Sequence, residues 1–377
     1  MVLKVFDAPV LSDGSWTSWS NAFRFAAADI IAYNYDAHFS EPGRFSVTLP
    51  FSDSRLAALT VNSVLWIRDD VYNSNDSLIA DDIYYDGKQI VISGKDSKSL
   101  LHLRQTLPPA GSDYHKASDT ISACCRALLE QNCMPNNNFA VPESRQLPID
   151  MGGTAAMTST SFMTAYDDLG DVITGMCDSA SVGFALDMNF YGNVYITNRY
   201  NRFIFSLITG TDRSYAQSVR PRVAFSIKSK NTLSLSFEHD VSNLLTTAYA
   251  KDSNGTVQTV HIGSESTGLF RRECSVSVPV PVTDEMFEEY AKNEIRDNIE
   301  THTYELTASA ASGYGSRYYL GDTVTVRDDF TGGYYNGVIT AAEKSFSSCS
   351  RSLKLTIGKP KQKLLDKIVK NMKNGVI

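Results

Sequence analysis

Six histidines and six cysteines are the side chains best suited to hold a metal, or to act as base and nucleophile, in this 377-residue chain. The cysteines are Cys124, Cys125, Cys133, Cys177, Cys274 and Cys349. None are spaced Cys-x-x-Cys, and so few in a chain of this length read as reduced thiols. A metal set would draw on His115, Cys124, Cys125 and Cys133. Adjacent cysteines on a helix do not readily meet one tetrahedral ion, and the spacing matches no zinc pattern. The chain has no His-x-His pair, no His-Glu-x-x-His helix and no Gly-x-Ser-x-Gly elbow. Glu238-His239-Asp240 puts a histidine between acids, but on an alternating strand, where such a residue is usually a solvated surface group. Asp81-Asp82, Asp167-Asp168 and Asp328-Asp329 are sequence neighbours, which point to opposite faces of a strand and so seldom share a proton. Asp328-Asp329, beside Thr331-Gly332-Gly333, reads as a turn. Gly313-Tyr314-Gly315-Ser316 does not open a helix after a strand, so it reads as a loop, not a phosphate cradle. No catalytic residue, metal site or cofactor site is assigned.

The elements that would carry such groups are mostly strands. In residues 1–105, Gly43 to Pro50 alternates with period two, Ser63 to Arg68 is a strand, and Ile83 to Ile92 is a hairpin around Asp86-Gly87. A short helix follows from Ser97 to Arg104. Residues 106–117 form a Pro/Gly/Ser-rich link. A helix capped by Ser118 or Asp119 carries Ile121, Cys125, Leu128 and Leu129 on one face. Residues 133–160 read as loop, Leu169 to Ala180 as a second helix, and Gly183 to Thr197 as a hairpin. From about 222 strands return: Leu233 to Phe237, a hairpin around Asp252 to Gly255, then Thr303 to Ser309, Thr323 to Arg327, Gly337 to Phe346 and Ser352 to Ile357. A helix spans 283–301. Both halves hold comparable strand phrases, Val61 to Ile67 and Leu320 to Val326, a hint of internal duplication.

The fold class is α+β, predominantly β. The expected domains are 1–107, a small β-barrel or sandwich; 108–221, an inserted α+β unit; 222–358, a second β-domain; and 359–377, a basic amphipathic helix. That helix, Lys361 to Lys373, places Leu364, Leu365, Ile368 and Met372 on one stripe, a candidate interface.

Net charge is −7, without the basic face of a phosphate-backbone binder. No stretch approaches the ~18 apolar residues of a membrane helix. The N-terminus, Met1 to Asp7, breaks too early for a signal peptide, so synthesis in a cytosol is expected. Trp16, Trp19, Tyr84, Tyr85, Tyr318, Tyr319, Tyr334 and Tyr335 lie near turns and strand starts. They fit barrel core and strand propensity, a protein interface or a sugar platform.

An ordered set of phrases carries a resemblance. It runs from Trp19 through Pro42 to Pro50 and Val91 to Arg104. It continues with Phe237 to Leu244, Arg272-Glu273, Tyr319 to Val326 and Gly337 to Glu343. In this order the chain, from about 15 to 357, resembles the tail-tip or baseplate hub proteins of tailed bacteriophages. The resemblance implies two tail-tube-like β-barrel domains with small inserted α/β domains. It implies a homotrimer, whose six barrels match a sixfold tail tube. It also implies a non-enzymatic ring joining the tube or distal tail protein to a spike, fibre or tape-measure protein. The ring would sit in the virion tail, assembled in the host cytoplasm. DNA would only pass through its lumen, which an acidic balance suits, and there would be no membrane insertion. The longer relatives carry a C-terminal peptidase or fibre-binding extension. Here about twenty residues follow Ile357, against an appended enzyme. The rival readings are a tail-associated cell-wall hydrolase and a carbohydrate-binding receptor module.

Overall fold

The computed structural model describes residues 1–358 except 13–14, 135–140, 153–157, 189–201, 253, 262–265, 279–287, 289–290, 293–294, 296–299, 310–311, 330–331 and 348–349. The chain is predominantly β. Unit 1 comprises residues 1–235 and 305–357; unit 2, as far as it is described, comprises residues 236–304 and Gly358.

Unit 1 begins with β1 (Val2–Phe6), β2 (Phe23–Ala27), β3 (Ala32–His38), β4 (Arg44–Pro50), β5 (Val64–Asp69), β6 (Ser74–Tyr85) and β7 (Gln89–Asp96). The period-two pattern of β4 sends Phe45, Val47 and Leu49 inward. They join Leu3, Val5, Leu65, Ile67, Leu78, Ile90 and Ile92 in one core. Burying each such side chain contributes roughly 1.5–3 kcal/mol. The β6–β7 hairpin turns where Asp86-Gly87 predicts it, with Tyr85 opposite Ile90. The Asp86 carboxylate accepts the backbone N–H of Lys88 and of Gln89, each at 2.9 Å. Those bonds hold its pKa below the ordinary value. Gly87, at φ 81°, takes the left-handed position that glycine alone enters without cost.

Unit 1 continues with β8 (His115–Thr120), α1 (Ile121–Asn132), β9 (Ile149–Met151), β10 (Ser159–Thr164), α2 (Leu169–Ser179), β11 (Gly183–Met188) and β12 (Phe203–Ile208). Both expected helices form. The cap of α1 is Thr120, whose Oγ1 accepts the Ala123 N–H. Ser118 and Asp119 instead lie in β8, opposite Ser161 and Thr160; pairing with β10 prolongs the strand and delays the helix. The stretch read as loop contains β9 and the start of β10. β9 pairs in parallel with β12, Ile149 opposite Phe203, a partner too distant for local pattern to reveal. β11 pairs with β12; the expected strand Val194 to Thr197 lies outside the described residues. Leu128, Leu129, Ile173, Met176 and the thiols of Cys124, Cys125, Cys133 and Cys177 pack with Phe184, Phe203, Phe205, Phe6 and Trp19. These elements therefore share a core with the first strands.

The chain continues through β13 (Ala224–Phe225) and β14 (Thr232–Asp240) into unit 2. Unit 2 holds β15 (Thr247–Asp252), β16 (Val257–His261) and β17 (Glu273–Val278), ordered β16-β15-β17. Residues Glu288, Ala291, Lys292 and Ile295 are helical. Ala291 packs with Ala250, Val260 and Val278, and Ile295 with Ala248 and Val276. Of the rest of the expected 283–301 helix, Glu300 is not helical and Thr301 already belongs to a strand, and the other residues lie outside the described ones.

That strand is β18 (Thr301–Ala308), along which the chain returns to unit 1, followed by β19 (Thr323–Arg327), β20 (Tyr334–Ser347) and β21 (Ser350–Gly358). One sheet of 13 strands runs β14-β18-β21-β20-β3-β4-β7-β6-β5-β1-β2, with β13 and β19 attached beside β20. β20 pairs antiparallel with β3, from Ala341 opposite His38 to Ser347 opposite Ala32. The N- and C-terminal halves thus share a hydrogen-bonded edge. Among the described strands no pairing closes the path into a barrel.

Candidate assembly surface

The stripe Leu364, Leu365, Ile368 and Met372 lies outside the described residues. The four residues considered as metal donors do not converge: the His115 ring sits edge-on to Phe162 at 5.0 Å, and Cys124, Cys125 and Cys133 face the α1 core. Burial lowers the His115 pKa and pushes the Cys133 thiol up to about 12. A thiol so held is not a nucleophile at neutral pH.

Two histidine–carboxylate groupings do form. In the first, His102 Nδ1 lies 2.8 Å from Asp168 Oδ1, which resembles the base–orienter half of a catalytic triad. The other nitrogen, Nε2, is buried without a hydrogen-bond partner and faces Gly170, where an added Cβ would lie 2.5 Å away. Among the described residues no hydroxyl or thiol bonds this nitrogen; Asp168 also caps α2 by accepting the Asp171 N–H at 3.1 Å, so the grouping anchors a helix start. The second joins His239 to Glu300 and His302. Sequence reasoning correctly placed His239 on an exposed strand but missed its partners. The spacing Glu300-x-His302 was the available signal, hidden because residues up to 301 read as helix.

A depression of about 450 Å³ is lined by Asp7, Arg24, Ser54, Ala57, Ala58 and Thr60. Its charges, Arg24 and Asp7, bond to each other, and Ser54 Oγ bonds Ser52 Oγ at 2.9 Å, so it holds no base beside a nucleophile.

The interior of unit 1 carries a polar network. Lys344 Nζ, on β20, donates to Asp76 Oδ1 at 2.6 Å and Oδ2 at 2.7 Å, and to Ser74 Oγ at 2.9 Å. Tyr33 Oη donates to Asp76 and Tyr35 Oη to Asp96, both at 2.9 Å. Burial first, and then the neighbouring carboxylates, push both tyrosines well above their ordinary pKa. They stay neutral donors. Lys98 Nζ donates to the His38 carbonyl at 2.6 Å and lies 3.6 Å from Asp96. Arg351 Nη1 reaches both oxygens of buried Asp69 at 2.8 Å. These groups are mutually satisfied inside the fold, which suits a brace between β20–β21 and the N-terminal strands.

The aromatics singled out by sequence divide. Trp19 and Tyr318 are core, whereas Tyr84, Tyr85, Tyr319 and Tyr334 are exposed. The exposed set includes a ladder on unit 1. Tyr215 and Tyr334 have ring centroids 5.9 Å apart. The Arg222 guanidinium lies 5.7 Å from the Tyr215 ring and that of Arg327 lies 5.7 Å from the Tyr334 ring. The loop presenting Tyr215 is pinned to β19: Arg213 Nε donates to Asp322 and the Tyr215 N–H to Thr325 Oγ1, at 2.7 and 2.8 Å. Tyr215 is 49%, Tyr334 60% and neighbouring Val219 91% exposed. Pre-ordered tyrosine with arginine is the composition of a protein-interface centre.

A family model described as Siphovirus ReqiPepy6 Gp37-like protein matches residues 22–359, about nine-tenths of the chain. The fold is similar to that of a tail protein from Neisseria meningitidis MC58, with TM-score 0.55 and 13% identity over 95% of this chain and 96% of that one. It is similar to prophage tail protein gp18 from Listeria monocytogenes EGD-e, with TM-score 0.54 and 14% identity over 99% of each chain. It is also similar to the 43 kDa tail protein of prophage MuSo2 from Shewanella oneidensis, with TM-score 0.53 and 11% identity over 94% and 95%. At such identities the likeness is one of fold. No curated protein matches the sequence.

Proposed function

The chain belongs to the siphovirus ReqiPepy6 Gp37-like family, and from that premise we propose that it is a non-enzymatic structural component of a phage tail, three copies of which form a hub ring. The carrying observation is the family match across residues 22–359, supported by a fold shared from end to end with prophage tail proteins. In this reading residues 1–107 and 222–358 are the two tube-like domains and 108–221 is the insert. The ring joins the tail tube or distal tail protein to a tip, spike, fibre or tape-measure protein and lets DNA pass. The Tyr215–Tyr334 ladder supplies one contact between copies. The Lys361 to Lys373 helix supplies another, to a second copy or a neighbouring tail protein.

Replacing Leu364, Ile368 and Met372 together by Ser tests the helix contact. Sedimentation should show a weakened assembly while the chemical-unfolding midpoint of the monomer stays close to wild type. Equal loss of assembly and folding would mean that the stripe packs on its own chain.

A further inference from the structure

We propose that His239, Glu300 and His302 form a binding site for a divalent transition-metal ion of the zinc class. The inference is independent of the hub reading. β14 and β18 are hydrogen-bonded neighbours in the sheet. Alternate residues share a strand face, so Phe237 and His239 project together from one, and His302 and Tyr304 from the other, with Glu300 immediately before β18.

The donor atoms already point at one another. His239 Nε2 lies 2.6 Å and His302 Nε2 3.0 Å from the same oxygen, Glu300 Oε1. The three donor atoms lie within 4.8 Å of one another. Metal–ligand bonds of about 2.0–2.2 Å at a tetrahedral centre place neighbouring donors roughly 3.3–3.5 Å apart. Half-exposed side chains reach that spacing by small rotations about Glu300. Two imidazole nitrogens and one carboxylate oxygen suit zinc and its first-row neighbours, whereas calcium and magnesium prefer all-oxygen sets. One or more positions would remain for water or a ligand from a neighbouring molecule.

The imidazoles are braced. Their centroids are 4.3 Å apart. Phe237 lies 6.1 Å from His302 and stacks on buried Tyr304 at 4.6 Å. This ring ladder limits how far His302 turns from the site. Without metal, both imidazoles hydrogen-bond Glu300 Oε1. On binding, each Nε2 gives its lone pair to the ion and the ring proton resides on Nδ1.

Titration of the tag-free full-length chain with zinc chloride tests the site, with cobalt(II) absorption as a second readout. We expect one zinc per chain and a cobalt spectrum of nitrogen and oxygen ligation. His239→Ala, His302→Gln and Glu300→Gln should each weaken zinc at least about tenfold, with unchanged circular dichroism confirming that the variants fold. Absence of binding would overturn the proposal. So would affinity unchanged in all three variants, or a sulfur-to-cobalt charge-transfer band, which would place the ion on cysteine.

Discussion

Replacing Lys344 by Met should cost unit 1 about 3–5 kcal/mol of stability, the range for removing one partner of a buried ion pair. The Lys344 side chain is 4% and that of Asp76 7% exposed. The ammonium bonds both Asp76 oxygens and lies 5.0 Å from the Tyr35 ring centroid. Without it Asp76 keeps the Tyr33 hydroxyl and a weak contact from Ser74, too little to offset the desolvation of a carboxylate. The double variant Asp76→Asn with Lys344→Met removes both charges and should recover a large part of the loss. Urea unfolding at constant m-value measures both. A loss below about 1 kcal/mol for Lys344→Met, the value of an exposed pair, would show that water reaches the network.

Replacing Tyr215 and Tyr334 together by Ala should dissociate the assembly while sparing the fold. At an interface centre each such side chain is worth 2 kcal/mol or more, about thirtyfold in a dissociation constant. Both rings are largely exposed in the single chain, so their removal should change folding stability by less than about 1 kcal/mol. The loop geometry that presents Tyr215 rests on Asp322 and Thr325, which the substitutions leave in place. Sedimentation velocity and thermal unfolding on the same samples separate the two effects. Unchanged assembly would remove the ladder from the interface, and parallel loss of assembly and folding would make it a packing feature.

Local pattern carried most of the secondary structure. Period-two alternation located β4, and turn chemistry located the hairpins at Asp86-Gly87 and at Asp252 to Gly255, where Lys251 stands opposite Val257. The apolar periodicity of α1 and α2 likewise fixed both helices. What failed was non-local. β9 is three residues long and exists only by pairing with β12, so nothing in its own residues marks it. The union of the two halves rests on β20 beside β3, strands some three hundred residues apart. The Lys344–Asp76 pair was invisible because a lone lysine in an alternating strand normally faces water, and the carboxylate that holds it inside lies 268 positions away. The Tyr215–Tyr334 ladder is half legible: Tyr334 stands among the turn aromatics, whereas Tyr215 sits in a loop without a pattern. The His239 cluster is hidden in the sequence because the helical pattern running to 301 conceals the spacing of Glu300 and His302.

Sedimentation equilibrium of the purified chain at its highest soluble concentration tests the trimeric hub most directly. The ring predicts a particle of about 125 kDa, three times the 41.6 kDa chain. A mass of 41.6 kDa at every concentration, or a closed assembly of any number other than three, would contradict it.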